Sequence, residues 1–462
     1  MPDPSLVTRP VADLVAGFRR GDFSPVEVAE EALSRIEAHD ESLHAFVEVT
    51  RDLALGQARE AADRYTAGDD APLLGVPVSV KDAFHVAGLR TTIGSRVYEN
   101  HISKADSGVV HRLRGAGAVF TGKTNTAEFG QSATTDNLLG PDTGNPWDPQ
   151  RTPGGSSGGA AASVAAGFST LAVGSDGGGS IRIPATFTGL FGFKPGIGEC
   201  PDERGFRGMS DFVCPGPLAR RVADARVMLG VLTDTSLSRG LTPKGLRVAY
   251  CPRPEGRPVD PGVATAVAAA AQALSALGHH VEEVDLPLAG WDDIFGPLVL
   301  EDEHRERGHL LQLAPDLLTR YERSSLRAAV DLDPAVVAEA RRALPGYRQR
   351  ISALFDTYDV LLTPTTATPA FPLGDRPRTI DGEAVSYLWG AFPFAAPFNV
   401  AGTPAASVPC GMVDGLPVGA QLVAARGAHA LLLDLCEDLE TALEFDQRPV
   451  LVRWSAQEVQ TT

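Results

Sequence analysis

Cysteine, methionine and tryptophan are scarce here, with five, four and four residues. Cys200, Cys214, Cys251, Cys410 and Cys436 lie far apart, which argues against a disulfide framework or a zinc knuckle. They read as buried or incidental thiols. Positive charge is also in short supply: 41 basic residues face 58 acidic ones, a net charge of −17. So acidic a surface repels phosphate backbones, and nucleic acid is not an expected partner. The first residues show no basic stretch leading into an apolar run, so no secretory leader is expected. Long runs of large apolar side chains are missing too. The one long uncharged stretch, 152–175, consists mostly of Gly, Ser and Ala and reads as tightly packed core, not a bilayer span. A cytoplasmic location, away from membranes, follows as the expectation. The histidines do not gather: His101, His111, His279, His280 and His304 read as surface or core residues. No metal-ligand cluster and no organic cofactor are expected.

The 43% hydrophobic and 21% charged residues describe an ordinary core-forming chain. Ser24-Pro25-Val26-Glu27 is a capping box with proline at the first helical position, and residues 1–65 read as helical scaffold. Leu73–Val80 reads as a buried strand ending at Lys81-Asp82, and 118–121 as another. A helix is expected over 107–114 and another over 160–166, with a strand over 169–173. Strands at 247–250, 281–284, 360–363 and 405–408 alternate with helices at 262–277, 334–343 and 428–442. That alternation predicts an α/β fold, and the absence of repeats or linkers predicts one domain over 1–462.

Gly117 to Thr124 matches the phosphate-loop pattern G-x-x-x-x-G-K-T. Its four interior positions form an apolar strand, which cannot wrap its N–H groups round a phosphate. Lys123 therefore reads as a strand-end lysine holding loop carbonyls or a carboxylate.

A stronger constellation joins Lys81, the run Gly154–Gly159 and the run Gly174–Pro184. A serine hydroxyl needs a base before it can act as nucleophile. A lysine leaving an apolar strand can serve, because desolvation disfavours its charged form. Glycines before Ser180 let successive backbone N–H groups converge on one point, as an oxyanion hole requires.

At these residues the chain resembles the amidase signature family, the Ser–cis-Ser–Lys hydrolases. The motifs are GVPVSVKD (75–82), TTIGS (91–95), GKTNTAEF (122–129), GNPW (144–147), RTPGGSSGGAAA (151–162), GSDGGGSIRIPA (174–185) and GLFGFKP (189–195). Weaker agreement continues through GPLAR (216–220), DVLLTP (359–364), NVAGTPAASVPCG (399–411) and GLPVGAQL (415–422). The signature core spans 75–195, and 196–462 forms the remainder with the substrate-pocket loops.

The resemblance implies a three-layer α/β/α fold with a large mixed sheet covered by helices on both faces. It implies Ser180 as nucleophile, Ser156 as bridging serine after a cis peptide bond, and Lys81 as base. The N–H groups of Gly177, Gly178, Gly179 and Ser180 would form the oxyanion hole, with Ser157, Asp176 and Arg182 as support. Ser175, Gly178 and Ala83 depart slightly from the family pattern, and 197–215 departs widely.

The implied reaction is hydrolysis of a small or medium linear carboxamide to acid plus ammonia or amine. The runner-up is the glutaminase chain of a tRNA-dependent amidotransferase, which delivers ammonia to its partner chain. A catalytically silent binding protein is the remote third. The partner expected is a small-molecule amide, with a homodimer left open. Gln131, Ser132 and Phe394 are the expected substrate contacts. The pocket is expected from loops 128–134, 197–215, 291–330 and 384–400, with Phe392, Phe394 and Phe398 as an apolar wall. Asp82, if close, would raise the Lys81 pKa.

Overall fold

The computed structural model describes residues 5–203, 205 and 207–455. Among the described residues thirteen strands form: β1 (Phe46–Val49), β2 (Pro77–Lys81), β3 (Val119–Thr124), β4 (Leu171–Asp176), β5 (Phe191–Lys194), β6 (Cys214–Ala219), β7 (Arg247–Tyr250), β8 (His280–Glu283), β9 (Val360–Pro364), β10 (Thr379–Ile380), β11 (Glu383–Ala384), β12 (Ala405–Val413) and β13 (Leu416–Ala424). All but β10 and β11, which pair as a small hairpin, join one sheet in the order β1-β3-β2-β4-β6-β5-β12-β13-β9-β7-β8. The triplet β3-β2-β4 is parallel, as is β9-β7-β8, and the strands between them are antiparallel. The fold is α/β with a mixed sheet, as expected.

Alternation of side chains along each strand feeds two helix layers. In β4, Leu171 and Val173 enter the main core with Met228, Leu229, Leu432 and Leu435 of helices Val222–Thr233 and His429–Leu443. Ala172 faces the other way, against Ala160, Ala161 and Ala185 of helices Gly158–Ala165 and Arg182–Thr188. Every residue from 152 to 174 is buried, so the uncharged Gly-Ser-Ala stretch is core.

The capping box forms: Ser24 accepts from the Glu27 N–H while Glu27 Oε2 accepts from the Ser24 N–H at 2.7 Å. The N-terminal segment is not wholly helical, however. β1 lies between helices Pro25–Leu43 and Arg51–Thr66, paired antiparallel to β3. Only the exposed edge of β3 makes those few residues a strand. The five cysteines are free and buried. No helix among the described residues is long and apolar enough to cross a membrane.

Candidate functional site

Lys81 and Asp176 end the neighbouring parallel strands β2 and β4, and Thr124 ends β3 beside them. The carboxyl edge of parallel strands is where open α/β sheets hold ligands. Lys81 is fully buried, and its Nζ donates to Ser156 Oγ at 2.7 Å and to Ser175 Oγ at 3.0 Å. Burial pulls its pKa down to about 7, with the Asp176 carboxylate opposing the shift. Asp82, which would have raised the Lys81 pKa had it come close, instead holds Lys123 at 2.6 Å. Successive side chains at a strand end point to opposite sides, so Lys81 and Asp82 part company. Lys123 also donates to Arg90 O at 3.2 Å and Thr91 Oγ1 at 2.8 Å. It is a buried structural lysine on β3, not part of a phosphate loop.

The Gly155–Ser156 peptide bond is cis. Gly155 must lack a side chain, since a Cβ there would sit 2.4 Å from the Thr134 carbonyl oxygen. The Ser157 N–H donates to Ser180 O at 3.2 Å, and the Ser157 hydroxyl donates to Ser175 O at 3.2 Å. These bonds draw the Gly154–Gly159 run, the end of β4 and Ser180 into one cluster. Ser180 is 8% exposed, and its hydroxyl has no hydrogen bond among the described residues, including none to Ser156 Oγ.

The glycine loop hangs on Asp176. One carboxylate oxygen accepts from the Gly179 N–H at 2.7 Å, the other from Ile181 N–H at 3.2 Å, and Arg182 clamps both at 2.9 Å. Asn399 donates to Asp176 at 2.9 Å, and Arg182 reaches Gln421 Oε1 at 2.6 Å. Burial would raise Asp176, but Arg182, Lys194 and Asn399 outweigh it and hold the carboxyl well below its usual range. The Gly179 N–H is thus committed to Asp176, a correction to the expected set of four oxyanion donors. It donates inward because Gly179 adopts φ +122, a conformation that side chains disfavour. The N–H groups of Gly177, Gly178 and Ser180 have no acceptor among the described residues. Met209 and Phe295 stand beside Gly177 and Gly178, where a Cβ would meet them at 2.4 and 3.0 Å. Segments from the divergent 197–215 stretch and from 291–330 therefore do reach the loop.

Gln131 and Ser132 line a cavity of about 180 Å³ shared with Asp136, Tyr321, Arg376 and Tyr387. Gln131 Nε2 also donates to Glu303 Oε1 at 2.5 Å. Phe394 does not join them. It is 1% exposed in the main core, while Phe392 and Phe398 belong to two other clusters, so no common aromatic wall exists. Phe392 and Phe394 lie on the turns leading into helix Ala396–Ala401 and Phe398 lies within it, which scatters the three rings in direction.

Sequence reasoning did not single out Ser175 as a Lys81 partner, nor Asn399 and Gln421 as supports. A signal existed for Gln421, the only polar side chain in the apolar strand β13, since a buried amide must find partners. No group of three or more His, Cys, Asp or Glu suited to a metal occurs among the described residues.

The family model described as Amidase matches residues 27–433. The chain belongs to the amidase family. This amidase-family chain is 36% identical to the A chain of glutamyl-tRNA(Gln) amidotransferase from Carboxydothermus hydrogenoformans, over 95% of its length and 98% of the relative. It is 34% identical to the protein of the same name from Thioalkalivibrio sulfidiphilus, with 95% and 98% covered. Among solved structures it resembles a bacterial aryl acylamidase of the amidase signature family, at TM-score 0.89 and 28% identity over 99% of this chain and 100% of that one. It also resembles the peptide amidase of Stenotrophomonas maltophilia, at TM-score 0.80 and 27% identity, with 96% and 98% covered.

Proposed function

We propose that this chain cleaves the C–N bond of a carboxamide through an acyl-enzyme on Ser180. The observation that carries the reading is the 2.7 Å hydrogen bond from a fully buried Lys81 to Ser156. A lysine with a pKa near 7 is partly neutral at physiological pH and can accept a proton. Ser180 Oγ attacks the amide carbon, its proton passes to Ser156 Oγ, and the Ser156 proton passes to Lys81 Nζ. The oxyanion accepts from the N–H groups of Gly177, Gly178 and Ser180. The C–N bond then breaks, and the departing nitrogen takes the proton back along the same relay. Water hydrolyses the ester and frees the acid. Closing the relay requires Ser180 Oγ to swing toward Ser156 when substrate binds, because the two hydroxyls are not hydrogen-bonded without it.

The sequence relatives favour one setting for this chemistry. Their shared name, one chain of a glutamyl-tRNA(Gln) amidotransferase, supports glutamine as the amide and a protein partner that receives the ammonia. The aryl acylamidase and peptide amidase likenesses support the other setting, a free-standing amidase. Purified chain is treated with a fluorophosphonate, then assayed for ammonia or amine from glutamine and from aliphatic and aryl amides. Labelling that vanishes in Ser180→Ala is expected. Turnover of glutamine alone, dependent on a larger protein that copurifies, selects the first setting; turnover of simple amides by the isolated chain selects the second. An unlabelled wild type that turns over no amide overturns the reading.

A further inference from the structure

We propose that Arg376 anchors a carboxylate of the substrate, so that the favoured amides are those carrying an anionic group beyond the scissile bond. The inference rests on the amide-cleaving reading above and applies in either of its settings, since glutamine also carries a carboxylate.

Arg376 lines the cavity that holds Gln131 and Ser132. That cavity adjoins the serine cluster: a Cβ on Gly130 would lie 3.5 Å from Ser156 Oγ, and Thr135 Oγ1 donates to Gly154 O at 2.9 Å. The loop bearing Arg376 is pinned to the same cluster. Thr152 N–H donates to Phe371 O at 2.9 Å, Arg151 pairs with Pro372, and Thr152 Oγ1 accepts from Gly154 N–H at 3.0 Å. The stretch of backbone leading to Arg376 is thus tied to the run that carries Ser156.

Its bonding is incomplete. One nitrogen, Nη2, donates to Ser132 Oγ at 2.6 Å and Thr134 Oγ1 at 3.0 Å. Nε and Nη1 have no protein partner among the described residues, and no carboxylate there forms an ion pair with Arg376. The side chain is fixed between the rings of Tyr387 and Phe392, each 5.6 Å from its central carbon. Burial pulls on its charge, and Asp136 opposes. Asp136 does not neutralise it directly: its carboxylate accepts from Thr134 Oγ1 at 2.6 Å, one hydroxyl away. Asp142, also on the wall, is raised by burial and by Asp136, which weakens it as a competing anion. A guanidinium with unspent N–H groups on Nε and Nη1, immobilised and partly desolvated, offers charge-assisted hydrogen bonds to a carboxylate. A structural arginine in such a place would spend those donors on protein acceptors, as Arg182 does on Asp176, Gln421 and the Ala395 carbonyl, and Arg220 on the carbonyls of Val7, Val164 and Ser169.

The experiment compares half-amides with neutral amides of equal chain length: succinamate with butyramide, glutaramate with pentanamide, adipamate with hexanamide. Wild-type kcat/KM should favour at least one half-amide over its neutral counterpart by tenfold or more. Arg376→Gln should reduce that preference to twofold or less, and Arg376→Lys should retain part of it. No preference in any pair, or a preference that survives in Arg376→Gln, overturns the proposal. Titration calorimetry of the same compounds on Ser180→Ala reads the pocket without turnover. Half-amide binding that is lost in the Ser180→Ala, Arg376→Gln double variant supports the anchor even if the amide-cleaving reading fails. Turnover without any charge preference fails the anchor alone.

Discussion

Two buried polar clusters flank the candidate site, and they are built on opposite principles. Around Asp176, one carboxylate meets one guanidinium, and Gly179, Ile181, Asn399, Gln421 and the Ala395 carbonyl satisfy the remaining donors and acceptors. Beside Gln131, Glu303 and Glu322 gather near Arg307, with Glu128 close to Glu322, and Arg307 clamps Glu303 with Nε at 2.8 Å and also with Nη2. Glu128 is served by Ser95 at 2.6 Å and the Thr319 N–H at 2.7 Å. Neither oxygen of Glu322 has a hydrogen bond among the described residues. Burial first, and then Glu303, push Glu322 well above the ordinary carboxylate range. The first cluster is charged and balanced. In the second, burial and the neighbouring carboxylates favour the protonated form of Glu322. Rigid loop geometry needs the first kind of arrangement, because every donor there has one place to go.

The comparison can be broken by experiment, most sharply at the lysine between Asp176 and Ser156. Lys81→Arg keeps the charge but supplies no neutral base, and Lys81→Met keeps the volume but no nitrogen. General base catalysis is worth about 10²–10⁴-fold, so both variants should lose roughly 10³-fold in kcat while remaining folded by circular dichroism. Near-wild-type turnover by Lys81→Arg places the base elsewhere.

Asp176→Asn removes the charge opposite a fully buried Arg182. Breaking such a pair costs about 3–5 kcal/mol, which urea denaturation should register as a loss of that size. A loss under about 1 kcal/mol means the balanced cluster is not what holds the loop.

The pH profile comes next. Only neutral Lys81 accepts a proton, so kcat/KM should rise about tenfold per unit as pH climbs toward about 7, then level off. Asp176 raises the Lys81 pKa, so in Asp176→Asn the residual activity should level off at lower pH. An unchanged midpoint in that variant separates the two groups electrostatically.

The smallest effect is expected in the second cluster. A carboxyl raised in the folded state contributes stability that is present below its unfolded pKa and lost as pH rises through the folded value. Glu322→Gln should therefore match wild type near pH 4 and equal or exceed it by up to about 1 kcal/mol near pH 8. Strong destabilisation at pH 8 would reveal a charged, well-served Glu322 and erase the contrast.

Much of this was legible in the residues. Lys81 ending an apolar run, the two Gly-Ser runs and their order identified the family and the cluster, and the alternating strands identified the α/β class. The strand reading of 118–121 was enough to set aside the phosphate-loop pattern at Lys123. Position along the chain misled where direction mattered. Asp82 follows Lys81 but faces Lys123, and Phe394 sits near the Asn399 support yet turns into the core.

Local sequence determines which residues form strands and turns, because propensity, side-chain alternation and glycine freedom act over a few neighbours. That is why Lys81, Ser156 and Ser180 could be named from their motifs and their 75- and 24-residue spacings. Which polar group completes another's hydrogen bonds depends on where distant strands come to lie. The sheet brings β13 and its Gln421 to Arg182, helix Ala396–Ala401 brings Asn399 to Asp176, and the Phe371–Arg376 loop comes to rest beside the Ser156 run. Packing and the requirement to satisfy buried charge decided those partners, and the same requirement decided that the Gly179 N–H points to Asp176.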